Sequence, residues 1–220
     1  DVADIAALAA IARAAGVPLV VDNTMASPYL CRPFEHGADI VVHSATKYLG
    51  GHGTTMGGVI VESGRFAWDN GKFPQMTEPS RGYHGVRFYE TFGDFGFTMK
   101  ARMETMRTLG PTLSPMSAFL LLQGVETLHL RMPRHSESAL ALAQHLAAHP
   151  KVDWVNYPGL PGSRHRARAE RYLPRGAGGV LTFGVAGGAA AGVRFIESVQ
   201  FLSHLANVGD CRSLVIHPAS

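Results

Sequence analysis

Two patterns of apolar positions organise the first half of the chain. Apolar residues recur at helical spacing from Val2 to Ile11, and Gly16 stands where a glycine commonly ends a helix. A continuous apolar run, VPLVV, then covers residues 17–21, and a second run begins at Ile40. Runs of this length and composition are typical of strands buried on both faces of a parallel sheet. The pattern therefore predicts an α/β fold.

The lengths of the connections predict how the strands pair. Sixteen residues, 23–38, separate the strand predicted at Val17–Val21 from the region of the strand at Ile40–His43. That length permits the crossover that parallel strands require. Only nine residues, 48–56, precede the strand predicted at Gly57–Val61, which is too few for a crossover. We therefore expect the first two strands to be parallel and the third to be antiparallel to its neighbour.

Longer helices follow, and then strands and helices alternate. Helices are predicted over residues 95–109, 117–124, 128–149, 163–172 and 189–198, and strands over residues 152–157, 180–185 and 214–216. Pro133 is expected to break or kink the third of these helices. The change of pattern predicts the C-terminal part of a large domain at 1–132 and part of a smaller α+β domain at 133–220.

Residues 62–87 form the least regular segment, rich in glycine, proline and aromatic residues. Its aromatic side chains indicate an ordered loop packed on another surface, such as a second subunit, rather than a disordered insertion. The chain also lacks an initiating methionine and opens inside a helical pattern. We therefore expect it to be the central part of a longer protein.

Composition narrows the class of protein. Hydrophobic residues make up 46% of the chain and charged residues 17%, with a net charge of +3, which suits a globular protein with a core. The basic cluster at Arg164, Arg166, Arg168 and Arg171 fits a solvated helix face better than a nucleic-acid patch. We therefore expect no nucleic-acid partner. With no signal peptide and no run of 18 apolar residues, we also expect no membrane association.

The two cysteines, Cys31 and Cys211, are far apart and lack metal-ligand spacing. They predict a reducing compartment, the cytoplasm, and no metal site.

Lys47 is the strongest candidate for chemistry. It follows the second strand in the sequence Ser44-Ala45-Thr46-Lys47, with no carboxylate beside it. In an extended segment Ser44 and Thr46 would lie on one face, where their hydroxyls could bind one phosphate. Asp22 ends the first strand, so parallel strands would bring it to the same sheet edge, where ligands of α/β proteins bind. The alternatives are a polar strand end with a solvated lysine, and a turn or capping role for Asp22.

An acid, a phosphate site and an amine together match the requirements of pyridoxal phosphate. The glycines at 50, 51, 53, 57 and 58 resemble a phosphate-binding loop but lack the order of a P-loop. His52 in that loop is a possible ligand or base, although a loop-packing role fits it better.

The stretch VVDNTMASPYLCRPFEHGADIVVHSATKYLGGHGTTMGGVIV resembles the lysine region of the Cys/Met-metabolism pyridoxal-phosphate enzymes. The segments SPMSAFLLLQGVETLHLRM at 114–132 and NVGDCRSLVIHPAS at 207–220 resemble the same family. Within it, GGHGTT and NVGD…SLVIHPAS are similar to the O-acetylhomoserine sulfhydrylase branch. The resemblance implies the aspartate-aminotransferase-type fold (fold type I), with a mostly parallel sheet and one antiparallel strand.

The resemblance also implies roles for single residues. Lys47 would form the Schiff base with pyridoxal phosphate, and Asp22 would pair with the pyridinium nitrogen. Ser44 and Thr46 would bind the phosphate, and Asn207 would lie near the substrate carboxylate.

The activity implied is replacement of the γ-acetoxy group of O-acetyl-L-homoserine by sulfide or methanethiol, in a homo-oligomer, expected to be a tetramer. Other branches remain open: cystathionine γ-synthase, methionine γ-lyase and O-succinylhomoserine sulfhydrylase. A non-catalytic phosphate-binding or nucleic-acid-binding module is the alternative from a different class.

Overall fold

Short strands and helices alternate up to residue 62, and helices dominate residues 88–147. The structure is a computed structural model and describes residues 1–218. The α-helices are α1 (Ile5–Ala14), α2 (Ser27–Leu30), α3 (Pro74–Thr77), α4 (Phe88–Phe92), α5 (Gly96–Lys100), α6 (Arg107–Leu109), α7 (Pro115–Glu126), α8 (Leu128–Ala147), α9 (Arg166–Tyr172) and α10 (Gly188–Ser198). The strands are β1 (Val20–Asp22), β2 (Ile40–Ser44), β3 (Gly58–Glu62), β4 (Val152–Asn156), β5 (Thr182–Val185), β6 (Ser203–His204) and β7 (Leu214–Val215). Short 3₁₀ turns cover Pro33–His36, Arg81–Tyr83 and Gly93–Phe95.

The first three strands form one sheet in the order β1-β2-β3. β1 runs parallel to β2, with Val20 beside Ile40 and Asp22 beside Val42. β2 runs antiparallel to β3. Both predicted orientations are confirmed. Because β1 and β2 are parallel, Asp22 and Ser44 lie at the same edge of the sheet, at the carboxyl ends of their strands.

The first strand differs from its prediction in extent and burial. It begins at Val20 rather than Val17, and Asp22 is its last residue. Val20 is 51% exposed, so burial on both faces is wrong for this strand. The reason is that side chains alternate along β1: Val21 packs with Ile5 of α1, whereas Val20 projects from the opposite face and stays exposed.

The crossover from β1 to β2 contains only short helices, as its length predicts. It is made of α2 and the 3₁₀ turn at Pro33–His36. The buried side chain of Asn23 stabilises it by donating to the carbonyls of Ser27 and Cys31, at 3.1 and 2.9 Å. Gly37 ends the turn at φ 96°, a conformation that glycine adopts without strain.

Residues 62–97 are ordered and pack on the chain's own sheet. Packing of this segment on a second subunit stays a prediction. Trp68 stacks on Phe97 with 5.4 Å between ring centroids, and Phe66 and Phe73 meet Trp68 edge to face. We call the aromatic cluster the set formed by Phe66, Trp68, Phe73, Tyr83, Phe88, Phe92 and Phe97, which packs with Ile40 and Val42 of β2. The sheet provides the apolar surface that this segment requires.

The helix predicted over residues 95–109 is continuous from Gly96 to Leu109, but its hydrogen-bonding pattern changes along its length. A π-helical segment at Ala101–Met106 joins α5 to α6. α8 continues through Pro133, so a break there is wrong, although this residue offers no N–H to the preceding turn. The proposed boundary between residues 132 and 133 therefore falls inside α8.

The C-terminal part forms two small sheets. β4 pairs antiparallel with β5, and β6 pairs parallel with β7. β4, β5, α10 and β7 correspond to the predicted elements, and β6, which is two residues long, was not predicted. The last two residues of the proposed 133–220 unit lie outside the described residues.

Candidate active site

The chain turns sharply where β2 ends. We call residues 45–57, between β2 and β3, the lysine loop. The N–H of Lys47 donates to the carbonyl of Ser44 at 3.2 Å, and the N–H groups of Gly50 and Gly51 donate to the carbonyls of Ala45 and Lys47. The extended geometry that placed Ser44 and Thr46 on one face is therefore wrong at this point.

Thr46 closes the lysine loop onto its own end. Its hydroxyl accepts from the N–H of Gly57 at 3.0 Å and lies 3.3 Å from the Gly57 carbonyl. This hydroxyl therefore has backbone partners inside the loop. The phosphate role of Thr46 and Ser44 stays a prediction, although both residues do lie beside Lys47.

Lys47 meets a residue that is 160 positions away in the sequence. Its Nζ donates to Oδ1 of Asn207 at 2.9 Å, and both side chains are half-buried. Among residues 1–218 Lys47 has no carboxylate partner within 4.0 Å. The amine is thus oriented by a neutral amide, an arrangement that leaves it without a permanent counter-ion.

The segment 207–212 packs directly on the lysine loop. Cys211 donates its N–H to the carbonyl of Gly51 at 2.9 Å. Gly209 lies so close to Tyr48 that an added Cβ would be 2.5 Å from its backbone nitrogen. Buried Asp210 accepts from the guanidinium of Arg212 at 2.8 Å, and chiefly this bond lowers the pKa of Asp210 to about 2. The segment that positions Asn207 is therefore itself fixed by backbone contacts and an ion pair.

Thr24 links the two strand ends, and sequence reasoning missed it. Its N–H donates to Asp22 at 2.9 Å, and its hydroxyl accepts from the N–H of Ser44 at 2.7 Å. The Thr24 hydroxyl and N–H lower the pKa of Asp22, so this carboxyl is ionised at neutral pH. The signal that could have identified Thr24 is its position two residues after an aspartate, the spacing of an Asx turn.

α7 packs directly against the lysine loop. Gly124 approaches the loop so closely that an added Cβ would be 2.2 Å from the carbonyl oxygen of Gly50. Leu121 of the same helix is buried against Gly50 and Gly57. His52 contacts the Gly50 carbonyl at 2.7 Å within the loop, as the loop-packing interpretation predicts.

The donor set at this edge fits pyridoxal phosphate chemically. An ionised carboxylate, Asp22, suits a pyridinium nitrogen, and the amine of Lys47 suits an aldehyde. A cavity of about 400 Å³ opens beside Asp22, with Asn23, Leu30 and Thr182 in its wall, but Ser44, Thr46 and Lys47 do not line it. Among residues 1–218 no three His, Cys, Asp or Glu side chains are grouped as a metal site would require.

The basic cluster at residues 164–171 forms pairs within its own helix and with the start of the chain. Arg166 pairs with Glu170, Arg171 lies over the ring of Tyr172, and Arg164 pairs with Asp1 at 3.5 Å. Cys31 and Cys211 are free thiols, the first buried and the second exposed. No helix within residues 1–218 has the length and apolar character needed to cross a bilayer.

The chain belongs to the Cys/Met metabolism pyridoxal-phosphate-dependent enzymes, whose family model matches residues 1–220. Its α/β fold is the fold type I architecture of that family, and pyridoxal phosphate is the family's cofactor.

Particular relatives sharpen this membership. The chain is 52% identical to the O-acetyl-L-homoserine sulfhydrylase of Leptospira meyeri and 51% identical to the homocysteine synthase of Schizosaccharomyces pombe. Each match covers 100% of this chain and 52% of the relative. A Campylobacter jejuni structure described as an O-acetylhomoserine (thiol)-lyase superposes with a TM-score of 0.95 at 34% identity, covering 100% of this chain and 52% of that one. That structure contains N′-pyridoxyl-lysine-5′-monophosphate. The chain thus spans about half the length of the relatives that it matches.

Proposed function

We propose that the whole protein replaces the γ-acetoxy group of O-acetyl-L-homoserine with sulfide or methanethiol, giving homocysteine or methionine and acetate. The observation that carries the proposal is in the lysine loop, where the amine of Lys47, shortly after the end of β2, donates to the side chain of Asn207. Two relatives that are 52% and 51% identical to this chain over the part that it covers are named for the sulfhydrylase and homocysteine synthase activities, which supports the choice of reaction.

Bound pyridoxal phosphate would supply an electron sink for the carbon that carries the substrate amine. Lys47 would hold the cofactor through its aldehyde and, as a free amine, would remove the proton at Cα and move it toward Cβ. Asp22 keeps the ring nitrogen protonated because its own lowered pKa leaves it negatively charged. Asn207 holds the Lys47 amine by its amide oxygen. As the family resemblance implies, Asn207 would also lie near the substrate carboxylate.

Ser44 and Thr46 are assigned to the phosphate. Ser44 is at the carboxyl end of β2, and Thr46 is in the turn that follows. In binding the phosphate, Thr46 would exchange its 3.3 Å contact with the Gly57 carbonyl for a bond to a phosphate oxygen. A hydrogen bond to a charged acceptor is the stronger of the two.

We further propose that the whole protein is a cytoplasmic homo-oligomer, a tetramer, with its smaller domain beginning near residue 133. The two free cysteines support the cytoplasmic location. Light scattering on the purified whole protein should give four times the mass of one chain, and a monomer would contradict it.

Reduction with borohydride tests the site directly. After reduction of the whole protein, peptide mapping should place the pyridoxyl group on Lys47, because that amine lies at the sheet edge with Asp22. Lys47→Ala should lose the label and lower turnover by roughly 10²–10⁴-fold, the share of a positioned proton-transfer group. A label on Lys72, Lys100 or Lys151 would refute the assignment. Faster turnover of O-succinylhomoserine than of the acetyl ester would refute the substrate.

A further inference from the structure

Arg131, in the second turn of α8, bonds the lysine loop although it lies 84 residues beyond Lys47. One terminal nitrogen of its guanidinium donates to the carbonyl of Tyr48 at 2.8 Å. The other donates to the carbonyls of Leu49, at 3.3 Å, and Gly124, at 2.6 Å. Its Nε donates to the Thr127 hydroxyl at 3.1 Å. One side chain thus joins the loop, the end of α7 and the start of α8.

We propose that Arg131 is a positioning residue for Lys47, acting through the backbone of the lysine loop. Lys47 is fixed on its N-terminal side by the β2–β3 ladder, which ends at Ser44. Arg131 fixes it on the C-terminal side, since Tyr48 is the residue next to Lys47. Together the two contacts set where the lysine backbone lies, and hence where its amine can reach. The proposal rests on the assignment of Lys47 as the cofactor-binding lysine.

The packing around the guanidinium indicates that it has a single position. A Cβ added to Gly51 would be 2.3 Å from a guanidinium nitrogen, so the loop backbone lies directly on this group. Burial lowers the pKa of Arg131, and the carbonyl oxygens of the loop compensate the buried charge. Planar guanidinium geometry allows these several bonds at once, whereas the ammonium of lysine is a point charge on a flexible stem.

Substitutions at position 131 test the proposal in the whole protein. Arg131→Lys retains the positive charge and most of the side-chain stem but loses the fork, and Arg131→Met removes the charge. The matched control is Arg134→Met on the same helix, because Arg134 is 80% exposed and only pairs with Glu137 at 3.6 Å.

The first measurement is amide hydrogen exchange of the cofactor-free protein. We expect the hydrogen-bonded amides of Gly50 and Gly51 to exchange roughly tenfold faster in Arg131→Lys than in wild type, because lysine cannot replace the several bonds of the guanidinium and the loop opens more often. The second is steady-state kinetics: kcat should fall about 10²-fold, as expected for a misplaced catalytic group, with KM little changed. Arg134→Met should match wild type in both.

The outcomes separate this proposal from the one on which it rests. A folded Arg131→Lys variant with wild-type exchange and wild-type kcat would overturn it. So would a lower melting temperature with unchanged kcat, which is the result of a purely structural contact. If wild type itself were labelled at another lysine, the function proposal would fail, and the exchange rates would still decide whether Arg131 fixes the loop.

Discussion

The two sides of the central sheet are stabilised by different kinds of contact. At the carboxyl edge, polar groups bond over long sequence distances: the Lys47 amine donates to the Asn207 side chain, and the Thr24 hydroxyl accepts from the N–H of Ser44. On one face, the aromatic cluster holds residues 62–97 by ring contacts, such as those of Trp68 with Phe73 and Phe97. Directional bonds fix positions, whereas apolar burial supplies stability without specifying a direction.

This difference predicts that the two regions fail in different ways. Loss of a ring from the aromatic cluster should lower the free energy of unfolding and leave the chemistry of the folded protein intact. Loss of a polar partner at the edge should change the chemistry more than the stability. The three substitutions below test this contrast, in order of decreasing expected change in the free energy of unfolding or of activation.

Phe88→Ala should have the largest effect, because Phe88 is 0% exposed at the centre of the aromatic cluster. We expect the free energy of unfolding to fall by about 3–5 kcal/mol, measured by chemical denaturation of the whole protein. The control is Phe201→Ala, whose ring is 90% exposed. A change below that of the control, or loss of borohydride labelling at Lys47 in the folded variant, would break the contrast.

Asp22→Asn should lower turnover by about 10²-fold, equivalent to about 2.7 kcal/mol, because the variant loses the charge opposite the ring nitrogen. The fold should persist, since the carboxamide oxygen can still accept from the N–H of Thr24. Asp69→Asn, at an exposed position, is the control. Equal turnover in the two variants would return Asp22 to the role of a turn residue.

Asp210→Asn should have the smallest effect and a dependence on pH. The folded pKa of Asp210 is about 2, below its usual 3.8, so its stabilising contribution is complete above pH 4 and disappears as pH falls through 2. We expect the variant to be less stable by about 1–2 kcal/mol at pH 7, a value reduced by the exposure of Arg212. Denaturation at pH 7, 4 and 2.5 measures the difference, and a difference that did not decrease on acidification would contradict it.

The sheet topology could be predicted because it depends on local quantities. The lengths of the apolar runs and of their connections correctly predicted that β1 and β2 are parallel and that β3 is antiparallel to β2. The extent of β1 could not be predicted, because exposure of Val20 depends on which neighbours the sheet has. The same dependence explains why the aromatic residues indicated packing but not the surface against which they pack.

At the site, residue types were easier to predict than partners. Lys47 and Asp22 could be chosen as candidates because each follows a strand that ends at the same edge. The bond between the Thr46 hydroxyl and Gly57 could not be predicted, because the chain turns after Ser44 and the alternation of side chains along a strand no longer applies. Arg131 lies in the segment at 114–132 that resembles the family, but nothing in that segment indicates which groups it bonds. A lone arginine in a helix has the same sequence pattern whether it is solvated or bound to a distant loop.

The contact between Gly124 and Gly50 has a consequence for the evolution of the chain. A glycine inside a helix is about 1 kcal/mol less favourable than alanine, so drift toward alanine would be expected at Gly124. The Gly50 carbonyl occupies the space that the methyl group would need. The lysine loop therefore restricts which residues can replace Gly124. We expect any substitution at Gly124 in related proteins to be accompanied by a change in the lysine loop.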